Sequence, residues 1–561
     1  MLATILLYPI YVLKTVFWWL GNLIRKFWEP PEHILFTLEG DYPQIPQIGG
    51  NPLLRLFRPP RFSLMELGEQ IRRVSEDPRV KGVVFLLRPL EMPLAKIDEI
   101  RNMFKRLQAA GKTVTTWSFT YDTPMYYLAS AANSITLLPG GMLAPMGIYR
   151  QYFYLADALR MVGIKANFLQ TSPYKSAGDM FLRSDMSEEV KEMSNWLADS
   201  TYEEIVLKIA EGRNIEKEAA AALIDLTPCT DLDALNGGAV DALVGEEDLP
   251  QFLGSEKEPA KIFTWEAARK RLMKQRMQLP NKHIALLRIE GMIVDGHSSS
   301  PPMDIPVPVP IAFDERAGDI SVVNTIRQIM RDEHALGAVL YVNSRGGSPT
   351  ASESMRRALS HLAQKKPLVV VMGPVAASGG YWVSSPGKVI LAQPNTLTGS
   401  IGAILGKFSD QGLLGKLSIN LESISRGQNA DIYSPEAPFS EAEVKQLRQY
   451  LDRTYDLFLE RVSESRGMDR GAVDAIGGGR VWTGTQALEN GLVDELGGLD
   501  LGFQKVREMS GLVGRAPIQI YEMKKGYIPP TGKTSSVIGY GFDNLKQIYG
   551  KVTCICPWVD L

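Results

Sequence analysis

Cysteine and histidine are scarce in this chain of 561 residues, with three of the first and five of the second. Cys229 stands alone, and Cys554 and Cys556 sit together far along the chain. That excludes a disulfide scaffold and a zinc cluster built from cysteines. His33, His283, His297, His334 and His361 form no H-x-x-x-H pair, which excludes a zincin. No G-x-x-x-x-G-K-[ST] loop offers a nucleotide site. An excess of charge is also missing. Lys+Arg number 61 against Asp+Glu 63, a net charge of -2, and a general nucleic-acid binder would be basic. What remains is an ordinary folded composition, 45% hydrophobic and 22% charged. No cofactor and no metal is expected.

One long hydrophobic run is present. Residues 2–24, LATILLYPIYVLKTVFWWLGNLI, carry one charge, Lys14. A helix of about 23 residues spans about 34 Å, enough for one bilayer crossing. Trp18 and Trp19 suit an interfacial belt, and Arg25-Lys26 mark an end. Residues 1–33 therefore read as a membrane anchor. Residues 254–281 read as a charged, helical linker, residues 298–312 as a Pro-rich connection, and residues 514–561 as a tail without strong period.

The interior is a tandem repeat. VKGVVFLL (80–87) and ALGAVLYV (335–342) are both short buried strands, and Gly82 precedes Gly337 by 255 positions. The same offset pairs Tyr126-Tyr127 with Tyr381-Trp382, Ser130 with Ser385, Pro139 with Pro394 and Gly147 with Gly402. It then drifts to 253, pairing Arg213 with Arg466 and Val240-Asp241 with Val493-Asp494. Two copies of one α/β domain follow, at 34–253 and 282–513, and their alternating strands and helices predict parallel βαβ units.

The copies differ where chemistry would be carried. The second has N-S-R-G-G-S (343–348) after a strand, and adjacent glycines let backbone N–H groups turn toward a bound oxygen. The first has L-R-P-L-E-M (87–92) there. The second has T-L-T-G-S-I-G (396–402), where Ser400 suits a nucleophile, and the first offers Pro145. Conversely, the first has S-P-Y-K-S-A (172–177), and Lys175 is matched loosely by Ala430. One copy thus keeps a candidate nucleophile and the other a candidate base. A lysine works as a base only when neutral, which requires burial and distance from carboxylates, so Asp179 and Asp185 should point away. Ser378, in A-S-G-G, reads as a helix N-cap.

GAVLYVNSRGGSPTASE, GPVAASGGYW, PNTLTGSIG and YKSA…FLR together resemble the signal peptide peptidase A (protease IV) family in its long tandem form. The resemblance covers nearly all of 34–513. It implies two crotonase/Clp-protease-like spiral domains, with Ser400 as nucleophile and Lys175 as general base. It implies an oxyanion hole from the amides of Gly346 and Ile401, and Ser425 as the match for a lysine-orienting serine. Arg345 departs from the family's usual proline. A membrane-anchored serine endopeptidase is implied, acting on hydrophobic peptides such as cleaved signal peptides. A homo-oligomer, most simply a tetramer, and an exoplasmic location of the catalytic domains are implied as well, although Arg25-Lys26 alone would favour the cytoplasmic side. The competing readings are a crotonase-type acyl-CoA enzyme and a non-catalytic pseudoprotease scaffold.

Overall fold

The computed structural model describes residues 15–46, 61–274, 282–300, 315–512, 514–523 and 552–555. The chain divides into two compact units. The first comprises residues 1–149 and 201–281, the second 150–200 and 282–561. These are not the two contiguous halves of the repeat, because residues 150–200, which carry Lys175, belong with the second unit.

The first unit opens with a helix over residues 15–26. Its strands β1 (His33–Gly40), β2 (Gly82–Leu90), β3 (Thr113–Tyr121) and β4 (Ser134–Leu143) are parallel neighbours. β2 is buried along most of its length, as a run like VVFLL requires when both faces are covered. The helices Leu64–Ser75 and Leu94–Ala109 return the chain between strands. A capping box between Ser63 and Glu66 starts the first of them. The chain then enters the second unit with β5 (Lys165–Gln170) and passes back within the helix Glu188–Arg213. It adds β6 (Cys229–Thr230), β7 (Ala242–Leu243) and β8 (Ile262–Thr264), giving the order β6-β4-β3-β2-β1-β8 with β7 on β4.

Residues 254–281, expected as a helical linker, contain β8 and the helix Trp265–Arg271. Ile262-Phe263-Thr264 pairs parallel with β1, and Trp265 stacks on Phe36 at 5.8 Å. Ile262, Phe263, Trp265, Ala268 and Leu272, set among the charges, dock that segment on the core of its unit.

The second unit contains β9 (His283–Glu290), β10 (Met292–Val294), β11 (Arg316–Gly318), β12 (Ala335–Ser344), β13 (Gly346–Gly347), β14 (Leu368–Ala377), β15 (Val389–Ala392), β16 (Leu397–Gly399), β17 (Ile404–Ser409), β18 (Val481–Thr483), β19 (Glu495–Leu496), β20 (Ile518–Ile520) and β21 (Val552–Ile555). One sheet runs β18-β16-β14-β12-β9-β20, with β15 on β14 and β19 on β15. It follows the first unit's plan, with Leu286 of β9 opposite Val339 of β12 as Leu35 of β1 is opposite Val84 of β2. The other sheet, β11-β10-β13-β21-β17-β5, belongs to this unit alone. The core lies under β9, β12 and β14, against helices Asp319–Arg331, Pro349–Lys365 and Glu441–Arg466.

Among the described residues no helix is long and apolar enough to cross a membrane. Residues 1–14 of the expected anchor lie outside the described residues, as do most of the Pro-rich segment and of the tail. The described helix 15–26 lies on its own unit through one seam. Trp18 Nε1 and Asn22 Nδ2 donate to the carbonyl of Lys274 at 2.6 and 2.8 Å, and Arg25 Nε donates to that of Lys270 at 3.3 Å. Phe17, Trp19, Leu20, Leu23 and Ile24 are exposed on it, and Phe27 is exposed in the turn that follows.

Candidate active site

The second unit's extra sheet brings the lysine segment to the serine. β5 runs antiparallel to β17, with Gln170 opposite Ile404 and Lys165 opposite Ser409. The pairing continues one step beyond both strands. Thr171 N–H donates to Ala403 O at 3.1 Å, and Ala403 N–H donates to Thr171 Oγ1 at 3.2 Å. That clamp closes three residues after Ser400. A turn follows, with Lys175 N–H donating to Ser172 O at 3.0 Å, and the lysine side chain points inward with no exposed surface.

The amine meets three oxygens. Lys175 Nζ lies 2.7 Å from Ser378 Oγ, 2.9 Å from the Ser400 carbonyl oxygen and 3.0 Å from Ser400 Oγ. Asp185 points elsewhere, paired with Arg183 at 2.9 Å. Asp179 is buried, and that burial raises its carboxyl pKa against the pull of Arg183.

Both serines at the amine have backbone that L-residues seldom adopt. Ser400 has φ +50° and Ser378 has φ +57°. Such conformations cost about 1–3 kcal/mol and persist where surrounding structure enforces them. Here Ser378 N–H donates to Gly399 O at 2.8 Å, and Ser400 N–H donates to Arg480 O at 2.6 Å. Ser378 does stand at the N-terminus of helix Gly379–Ser384, but its hydroxyl caps no helix amide. Its left-handed backbone accompanies an Oγ that sits on the lysine instead.

Ser425 does not join the group. It lies exposed in a stretch of irregular backbone between β17 and the helix Glu441–Arg466. The second serine hydroxyl at the Lys175 amine is that of Ser378. Sequence reasoning also passed over Gly478-Gly479-Arg480. Gly479 N–H donates to Ile401 O at 2.7 Å, and a Cβ on Gly479 would lie 2.5 Å from the backbone of Lys175. The run Gly477-Gly478-Gly479 was the available signal, since its last glycine sits at φ +92°.

Of the two expected oxyanion residues, one is adjacent to Ser400 in sequence and the other lies against Gly379, the neighbour of Ser378. Ile401 follows Ser400 and buries its side chain in the core. Gly346, at φ +102°, begins β13, and a Cβ on Gly379 would lie 3.0 Å from its Cα. The Gly346 N–H donates to Ser344 Oγ at 3.1 Å, and that hydroxyl donates to Gly291 O at 2.6 Å. Beside the site is an apolar cluster of Val375, Ala377, Leu397, Val481, Met193 and Leu197. Trp196 borders it, stacked on Trp482 at 4.9 Å.

The arrangement can remove a proton from a serine hydroxyl next to two glycine-rich turns and an apolar wall. A family model described as Peptidase family S49 matches residues 106–258 and 360–512. Protease 4 of Haemophilus influenzae is 31% identical over 473 residues, covering 80% of this chain and 74% of that one. Protease 4 of Salmonella typhi is 31% identical, over 80% of this chain and 72% of that one. The chloroplastic serine protease SPPA of Arabidopsis thaliana is 28% identical, over 86% of this chain and 70% of its own.

Proposed function

The chain belongs to Peptidase family S49 and is a serine-type peptidase, and from that premise we propose that it cuts extended hydrophobic peptides with Ser400 as nucleophile and Lys175 as general base. The observation that carries the proposal is the 3.0 Å contact between Lys175 Nζ and Ser400 Oγ at a fully buried lysine. Burial disfavours an ammonium, and a neutral amine can accept the serine proton as Oγ attacks the peptide carbonyl. The same proton then goes to the leaving amine. A water deprotonated by the amine releases the acyl group, restoring the serine.

Ser378 holds the amine in line through its 2.7 Å hydrogen bond. The oxyanion takes the Ile401 amide and the Gly346 amide, the latter exchanging Ser344 Oγ for substrate oxygen. Hydrophobic peptides such as cleaved signal peptides are the substrates this reading assigns; the apolar cluster beside Ser378 is itself buried and packs the elements that carry the site. The test is labelling by a fluorophosphonate probe, together with turnover of a hydrophobic peptide. Both should be lost in Ser400→Ala. Labelling without turnover would leave a reactive serine but no peptidase.

The same reading extends to each unit as a crotonase/Clp-type spiral and to residues 1–33 as a membrane anchor with the catalytic units on the exoplasmic side. Supporting the anchor is the exposed apolar face of helix 15–26, which residues 2–14 continue in sequence. Protease accessibility in spheroplasts and in lysed cells tests the topology. The homotetramer belongs to this reading too, and sedimentation of the detergent-solubilised chain tests it.

A further inference from the structure

The sheet beside the dyad contains a strand that belongs to neither repeat. β21 lies between β13 and β17 and is antiparallel to both. Gly346 faces Ile555 and Gly347 faces Cys554 on one side, while Ile404 faces Thr553 and Leu405 faces Val552 on the other. Thr553 is buried, and its hydroxyl reaches Ile404 O at 3.4 Å. β17 begins four residues after Ser400, and β13 begins with the glycine whose amide the oxyanion requires.

Two strands that flank a nucleophile and leave a gap one strand wide form a receptor for an extended peptide. Main-chain hydrogen bonds hold such a peptide whatever its sequence, and each row of N–H and C=O groups accepts one partner at a time. A substrate strand that brings its carbonyl to Gly346 must use the row that Ile555 and Cys554 now face. Resting on the peptidase reading of the site, we propose that residues 552–555 are an autoinhibitory strand, a built-in occupant of the peptide-accepting gap that substrate has to displace. The bond from Gly346 N–H to Ser344 Oγ fits this resting state, since the amide is engaged by the protein while the gap is filled. Four residues of pairing make a weak contact on their own. Attachment to the same chain supplies an effective concentration on the order of millimolar, which suffices for high occupancy and still permits displacement.

The experiment compares the full chain with a variant ending at Gly550, using one hydrophobic fluorogenic peptide. If the strand fills about nine-tenths of the gaps, its removal should lower KM about 10-fold and leave kcat unchanged. A synthetic peptide of residues 551–561 should then raise the KM of the shortened variant competitively. Thr553→Pro in the full chain, which removes an amide from the strand and bends it, should reproduce part of the KM drop and guards against misfolding of the shortened chain. An unchanged or raised KM in both variants, with no competition by the peptide, overturns the proposal. Fluorophosphonate labelling of Ser400 is measured in parallel. If labelling is present but KM does not respond, only the autoinhibitory strand fails. If labelling and turnover are absent from every form, the peptidase reading itself fails.

Discussion

The two units keep the same buried polar contacts and differ at the positions that would do chemistry. In the first, Tyr127 OH donates to Asp98 at 2.6 Å beside Arg101. In the second, Trp382 Nε1 donates to Glu353 at 3.0 Å beside Arg356. All three pairs are 255 positions apart. Tyr126 OH donates to Ala239 O as Tyr381 OH donates to Leu492 O. Arg213 pairs with Asp241 as Arg466 pairs with Asp494, and each aspartate also accepts a strand amide, from Ile135 and Ile390. A buried donor left unpaired is costly in either unit, so these contacts stay. An unused nucleophile carries no such penalty, and the first unit has Pro145 where the second has Ser400. The comparison separates what the fold needs from what the reaction needs.

The largest expected effect breaks that separation directly. Ser400→Ala and Lys175→Ala should each lower kcat about 10⁴-fold or more with folding intact, because the proposed mechanism uses the two as one unit. Pro145→Ser in the first unit should change nothing, because a hydroxyl there has no glycine pair and no lysine beside it. Peptide turnover with matched circular dichroism checks all three. Measurable gain of activity by Pro145→Ser in a Ser400→Ala background would show that the first unit keeps a working site.

Next in size are the residues around the lysine. Gly479→Ala places a Cβ 2.5 Å from the lysine backbone at φ +92° and should cost about 10²-fold in kcat by displacing the amine. Ser378→Ala should cost about 10- to 100-fold and move the pH–rate profile, since the amine loses one of its hydrogen-bond partners. Ser425→Ala should leave both kcat and the profile unchanged. A pH profile unmoved by Ser378→Ala would reduce that serine to packing.

How far the sequence discloses this site can be stated residue by residue. The tandem repeat and the gain and loss at Ser400 and Lys175 are visible because an offset of 255 sets one copy against the other. Ser378 reads as an N-cap because serine before glycines usually is one. Its contact with Lys175 accompanies a φ of +57°, which no pattern of residue types specifies. The transfer of residues 150–200 to the second unit rests on long-range pairing between β5 and β17, with no local signal. β21 was hidden for the same reason, since four residues in a stretch without periodicity become a strand only between two waiting edges.

Smaller effects sharpen the comparison through stability. Arg213→Ala and Arg466→Ala should each destabilise by about 1–3 kcal/mol, because each leaves a half-buried aspartate that also holds a strand amide. Equal losses in urea unfolding are expected. A much smaller loss in one unit would mean that its copy of the contact has become dispensable.

The smallest expected effect concerns two histidines 250 positions apart, His33 and His283, each opening the first strand of its unit's main sheet. Burial lowers the pKa of both rings, so the folded state favours the neutral imidazole. The unfolded rings titrate near about 6.5. Above that pH neither state takes a proton and the contribution is constant. As pH falls below it, the unfolded chain binds protons that the folded chain refuses, so stability declines until the lowered folded pKa is reached. The two should not contribute equally. His283 Nε2 lies 3.0 Å from Tyr521 OH and 3.5 Å from Asp332, whose carboxylate opposes the downward shift. At His33 the Glu32 carboxylate also opposes the downward shift and Lys81 adds to it, but its buried Nδ1 has no hydrogen-bond partner among the described residues, whereas the His283 ring has Tyr521. His33→Gln should therefore flatten the loss of stability between pH 7 and pH 5 more than His283→Gln does. Urea unfolding at several pH values across that window, followed for both variants, reads the two slopes. If His283→Gln flattened the acid limb as much as His33→Gln, the Asp332 carboxylate would have no hold on its ring and the two sites would be thermodynamically equivalent despite their different neighbours.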